Sequence, residues 1–143
     1  MKKLISIVLG LLISGILVAQ NPVQPDPRLS TRYSSDRIQS WMENAPSILE
    51  LKNFELNYGY EFTQMPDDKV LDLPQLRTFD YQNKTAGAIV NDIEQEGFNL
   101  YMYQYDRAVD KANYYRIGNT NTVLIIPSSK KLAEMFNESR NYE

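Results

Sequence analysis

The spacing of apolar residues changes along this chain, and each spacing predicts a different element. Leu4 to Val18 contains no charged residue, follows the basic Met1-Lys2-Lys3 and gives way to Ala19-Gln20-Asn21-Pro22. That is the layout of a cleavable secretory signal peptide over residues 1–19, although Leu17 is bulkier than the small residue usual two places before cleavage. The rival reading, a retained anchor, suits the run poorly. Its fifteen residues, at about 1.5 Å each, span about 22 Å against a hydrocarbon core of roughly 30 Å.

Residues 20–33 hold Pro22, Pro25 and Pro27 with no apolar period, which predicts an extended, mobile leader. Behind Ser35, the residues Ile38, Trp41 and Met42 share one helical face, and Pro46 ends that helix. A second helix is predicted from Ser47, three residues before Glu50 in capping-box spacing, with Ile48, Leu51, Phe54 and Tyr58 as its apolar stripe and Gly59 as its stop. Residues 60–63 read as a short strand closed by Met65-Pro66-Asp67-Asp68. Residues 70–79, broken by Pro74, predict an irregular crossing with one edge strand. Residues 86–96, with Ile89 and Ile93 four apart before Gly97, predict a short helix.

From Phe98 the period falls to two, because Phe98, Leu100 and Met102 alternate with Tyr101, Tyr103 and Tyr105 in the pattern of a strand. Residues 114–117 and 122–126 flank Gly118-Asn119-Thr120-Asn121, which predicts an antiparallel hairpin. Val123-Leu124-Ile125-Ile126 is apolar on both sides of the pleat and belongs in the interior of a sheet. After Pro127, Ser128 or Ser129 caps a terminal helix with Leu132, Met135 and Phe136 on one face. The whole predicts a single α+β domain over residues 34–143. Its small antiparallel sheet has three to four strands, and the N-terminal helical hairpin and the C-terminal helix pack on it.

Without the signal, 124 residues remain, enough for one domain with a real core. The chain has no cysteine, so disulfides and an acylated thiol are both excluded; the mature protein is expected to carry no lipid anchor and no membrane span. With Lys2 and Lys3 removed, thirteen basic residues stand against eighteen acidic ones, a net −5 that repels nucleic acid and anionic lipid. No nucleic-acid partner is expected.

The absence of histidine and cysteine removes the commonest general base, the thiol nucleophile and nearly all zinc sites. Ser128-Ser129-Lys130-Lys131 matches the Ser-x-x-Lys spacing of penicillin-recognising enzymes, but no Ser-Asp-Asn accompanies it and helix capping is the plainer reading. Asp92, Glu94, Glu96 and Gly97 fall at the first, third, fifth and sixth places of an EF-hand-like loop whose twelfth place, normally glutamate, is Tyr103. No carboxylate pair stands out for glycoside hydrolysis. The sequence therefore predicts no catalytic residue, no cofactor and no metal site, and a protein that is not an enzyme.

Tyrosine is the positive feature, with ten in the chain. Tyr101, Tyr103 and Tyr105 on one strand face, with Tyr114 on the next strand, would form a flat surface for sugar rings or a protein partner. The competing reading is cross-strand packing beneath a helix. These four tyrosines, with Pro22, Pro25 and Pro27 of the leader, are the candidate partner-binding residues.

The hairpin Tyr114-Tyr115-Arg116-Ile117-Gly118-Asn119-Thr120-Asn121-Thr122-Val123-Leu124-Ile125-Ile126, with the helix over residues 132–136, resembles the C-terminal part of small exported Bacteroidota proteins of unassigned function. The signal ending in Ala19 before Gln20 is similar to exports of that phylum. The resemblance implies an accessory role, of the kind found in type IX secretion and gliding machinery, and carries no site residues. The expected function is a non-enzymatic, periplasmic or secreted, envelope-associated protein that binds an envelope protein partner. The alternative is a carbohydrate or cell-wall binding module using the tyrosine face.

Overall fold

Ser34 Oγ accepts the Arg37 amide at 3.4 Å and starts helix α1 (Ser35–Asn44), one residue earlier than the sequence pattern placed the cap. Pro46, which has no amide to leave unsatisfied at a first helical position, starts α2 (Pro46–Tyr58). Ser47 therefore lies inside the first turn and the capping box does not form. These helices belong to a computed structural model that describes residues 21–142; the signal peptide predicted over residues 1–19 lies outside the described residues.

The remaining elements are β1 (Glu61–Gln64), α3 (Asp67–Val70), β2 (Arg77–Asp80), β3 (Thr85–Ile89), β4 (Tyr103–Gln104), β5 (Asn113–Arg116), β6 (Thr122–Ile126) and α4 (Ser129–Arg140). The class is α+β. Its strands divide between two three-stranded antiparallel sheets, ordered β1-β6-β5 and β3-β2-β4. One segment couples the sheets: Arg116 N donates to Pro74 O at 2.8 Å, Leu76 N to Arg116 O at 2.8 Å and Val90 N to Leu76 O at 2.9 Å. Among the described residues, no helix is long and apolar enough to cross a membrane.

The C-terminal third follows its sequence pattern closely. β6 is the middle strand of its sheet and buries Val123, Leu124 and Ile126. The loop before it turns at Gly118, whose φ of 51° lies in the left-handed region. A Cβ there would stand 2.8 Å from Asn91 Cα, so backbone conformation and close approach both require glycine. Gly118→Ala should lower stability by about 1–3 kcal/mol in urea unfolding; an unchanged midpoint would refute the requirement. Ser128 Oγ accepts the Lys131 amide at 3.1 Å and starts α4, which buries Leu132 and lays Phe136 against Phe54.

Three expectations need correction. Residues 86–96 are not a helix: they contain most of β3 and an extended loop, because β2 and β3 pair across a tight turn in which Asp80 accepts the amides of Gln82 and Asn83 at 2.9 and 3.0 Å. The strand predicted from Phe98 survives only as β4. Asn99 Oδ1 accepts the Tyr101 amide at 3.1 Å, a local bond that caps a 3-10 turn over Leu100–Met102, while its amide group donates to the distant Thr31 at 2.9 Å.

The third correction concerns the leader, which over its described residues is packed against the domain. Asn53 on α2 clamps it, donating to Gln24 O at 2.7 Å and accepting the Asp26 amide at 2.9 Å. Pro27 begins a 3-10 turn (Pro27–Thr31) capped by Asp26, and Leu29 in that turn is fully buried. Arg28 reaches onward to donate to Phe98 O at 2.7 Å and Leu56 O at 3.2 Å. The prolines stiffen a segment whose polar groups have partners in the domain.

Candidate functional site

The interior of the molecule is organised around one carboxylate. α2 turns Leu49 and Leu56 into the core, and Glu55 goes in with them, only 5% exposed. Its Oε2 accepts from Tyr101 Oη at 3.0 Å and Lys52 Nζ at 3.2 Å; its Oε1 accepts from Tyr105 Oη at 3.2 Å and Arg107 Nη2 at 3.1 Å. Arg107 is held by two further acceptors, Gly59 O at 2.9 Å and Pro127 O at 2.7 Å. Burial alone would raise the Glu55 pKa, but the charges of Lys52 and Arg107 and the hydrogen bonds to it overcome that cost and hold it below the usual 4.5. Burial, followed by the Glu55 charge, pushes the Tyr101 and Tyr105 hydroxyls far above their ordinary 10. The carboxylate stays ionised and the tyrosines stay neutral, in an ionic knot where both carboxylate oxygens have partners and the buried Arg107 Nε has none.

A second feature borders it. The Arg32 guanidinium stands 4.6 Å from the Tyr81 ring centre, 5.1 Å from Tyr101, 5.6 Å from Tyr33 and 5.9 Å from Tyr105, and its Nη1 donates to Tyr105 Oη at 3.0 Å. Aromatic rings gathered round a cation in this way form a cage, and here the chain supplies its own cation.

The tyrosines singled out in the sequence therefore divide. Tyr101 is fully buried, Tyr105 is half-buried with its hydroxyl on Glu55, and Tyr103 is half-buried and stacks on Phe98 at 5.1 Å and 11°. They do not form one exposed face, because the 3-10 turn rotates Tyr101 out of register with Tyr103 and into the core. Tyr114 is 38% exposed on β5, in a shallow depression with Leu73 and Pro74.

The open concavity lies elsewhere, where the leader meets α2 and α4. It is a groove of about 820 Å³ lined by Pro22, Phe54, Tyr58, Phe136, Glu50 and Arg140, among others. Phe54 packs on Tyr58 at 4.8 Å and on Phe136 at 5.4 Å, and Tyr58 is 60% exposed. Glu50 and Arg140 pair across it at 3.7 Å. Of the three leader prolines only Pro22 borders this groove; Pro25 is half-buried and Pro27 opens the 3-10 turn. No family model, curated protein or solved structure matches this chain.

Sequence reasoning passed over Glu55, Arg32 and Arg107 altogether. Glu55 had one signal, the spacing Leu49, Lys52, Leu56 of an inward helical face with Glu55 at its margin, which the stronger-looking apolar stripe obscured; Arg32 and Arg107 had none. Ser128 is engaged as the α4 cap, and Lys131 pairs with Glu134 at 3.6 Å. Asp92, Glu94 and Glu96 are exposed on the loop after β3; among the described residues no three acidic side chains gather as metal ligands.

Proposed function

We propose that this is a non-enzymatic, envelope-associated accessory protein, exported to the periplasm or beyond, that binds another envelope protein. The groove carries the reading. Exposed Tyr58 over Phe54 and Phe136, with Glu50 and Arg140 at the rim, combines apolar rings with polar edges in the way of surfaces that accept extended peptide segments. Pro22, one of the candidate contacts of the leader, borders the same groove. The polar chemistry of the molecule, in contrast, is closed around Glu55. A carbohydrate-binding role drew its support from an exposed face of Tyr101, Tyr103 and Tyr105, and no such face is formed. Membership of a secretion or gliding assembly rests on the resemblance of the C-terminal hairpin.

Affinity purification of the tagged protein from native envelopes should bring down a stoichiometric partner. Tyr58→Ala, at an exposed position, should leave the unfolding midpoint near that of the wild type and reduce recovery of that partner about tenfold, the loss expected for a central aromatic contact. Recovery of no partner would end the proposal; undiminished recovery with Tyr58→Ala would move the binding surface away from the groove.

A further inference from the structure

The outer edge of β5 is only partly covered. Residues 74–76 run parallel to it, where Arg116 N donates to Pro74 O and Leu76 N to Arg116 O, both at 2.8 Å. One step earlier in this pairing, the donor to Tyr114 O would be the amide of residue 74, and proline has none. The pairing stops there. Nor can Tyr114 turn to β6 instead. Ile117 N donates to Thr122 O at 3.0 Å, which continues the β5–β6 register and assigns residues 113, 115 and 117 to that ladder, so Tyr114 and Arg116 face the outer edge. Tyr114 N–H and C=O therefore have no backbone partner among the described residues. They border a depression of about 310 Å³ that is lined also by Leu73, Pro74, Asp106, Lys111 and Asn113.

We propose that this edge receives the amino-terminal end of an extended peptide from a partner protein, antiparallel to β5. The geometry of the amide selects a peptide. A trans amide points its N–H and C=O in opposite directions, so the acetamido group of a sugar could meet only one of the two Tyr114 groups. An extended residue presents both on one side, and in an antiparallel pair a single residue makes both bonds. The direction follows from what is closed and what is charged. Residues 74–76 block the edge at Arg116, so at most one peptide residue precedes the one facing Tyr114, and the rest leaves past Ala112 and Lys111. Asp106 is held level with the blocked end, its amide donating to Tyr115 Oη at 2.8 Å and its carbonyl accepting from Asn113 Nδ2 at 2.7 Å. Asp106 and Lys111 are both exposed, and neither forms an ion pair among the described residues. A positive amino terminus beside Asp106 and acidic side chains beside Lys111 complement both charges, whereas a parallel peptide would bring its terminal carboxylate to Asp106. The inference stands apart from the groove and would survive the loss of a groove partner.

So small a contact is expected to bind with roughly millimolar affinity. The probe is the peptide Thr-Val-Thr-Glu-Glu with a free amino end and an amidated carboxyl end. Titrated to about 20 mM, which spans such an affinity, into the nitrogen-15-labelled protein, it should shift the amides of residues 112–115. Acetylating its amino end should weaken binding about threefold, the size of an exposed charge pair, and D106N should remove that difference. K111E should reverse the preference between this probe and Thr-Val-Thr-Lys-Lys. Y114P deletes the outward amide at a position where an edge strand accepts proline, and should abolish binding. Circular dichroism matching the wild type qualifies each variant. Amides of residues 112–115 that stay in place throughout the wild-type titration overturn the proposal, and so does a K111E protein that still prefers the glutamate probe.

Discussion

Glu55→Ala should destabilise the fold by about 3–5 kcal/mol, because removing one partner of a buried ion pair strands the other. Arg107 would keep its carbonyl partners but lose its counter-charge, and the hydroxyls of Tyr101 and Tyr105 would lose their acceptor. Urea unfolding at neutral pH measures the loss, and a change below about 1 kcal/mol would show the knot to be incidental. The same residue sets a pH dependence. A carboxylate held below 4.5 in the folded chain adds stability that is complete above its unfolded pKa and vanishes as pH falls through the folded value. Wild-type stability should therefore decline in acid below about 4.5, and Glu55→Gln, with no charge to lose, should flatten the curve in that window. A Glu55→Gln curve as steep as the wild type's would assign the acid sensitivity to other carboxylates.

Tyr101→Ala should cost about 3–5 kcal/mol, the range for deleting a fully buried aromatic ring. The ring meets Tyr33 edge-on at 5.6 Å and stands under Arg32 at 5.1 Å, so the cavity would open beneath the cage. Tyr101→Phe keeps the ring and removes only the hydroxyl on Glu55, for about 1–3 kcal/mol. Combined with Glu55→Ala, the Tyr101→Phe loss should largely disappear, since the hydroxyl would then have no acceptor to miss. Strict additivity in this double-mutant cycle would mean that the two side chains do not act as a unit.

What the sequence revealed follows how far each element is governed by its own residues. The β5–β6 hairpin and α4 were legible because Gly118, the apolar run from Val123 and the Ser128 cap each act locally. The tyrosine segment was not, because Asn99 spends its side chain on the Tyr101 amide and on Thr31, 68 positions away, and the alternating pattern gives no sign of either. α2 was half legible: its existence was clear, but its inward face was misassigned, since a buried glutamate reads as a solvent residue until its counter-charges, up to 52 positions away, are folded onto it. The leader misled for a related reason. Proline without periodicity resembles a tether, and the partners that dock it, Asn53 and the carbonyl of Phe98, are distant in the chain. The groove escaped notice because it is built from the stripe that had been assigned to the core.

The strand order β1-β6-β5 also sets a timetable. β1 is made early, yet every hydrogen bond of its ladder is to β6, with Glu61 facing Ile125 and Gln64 facing Thr122. Because β6 is the middle strand, neither neighbour has a place to dock until almost the whole chain exists, and Arg28 waits likewise for Phe98. Synthesis from the N-terminus thus leaves this sheet without its ladder until its last strand arrives, whereas all strands of the β3-β2-β4 sheet exist once Gln104 is made. The sheet that joins the two ends of the domain is therefore the one that must close last, a delay compatible with the proposed export route.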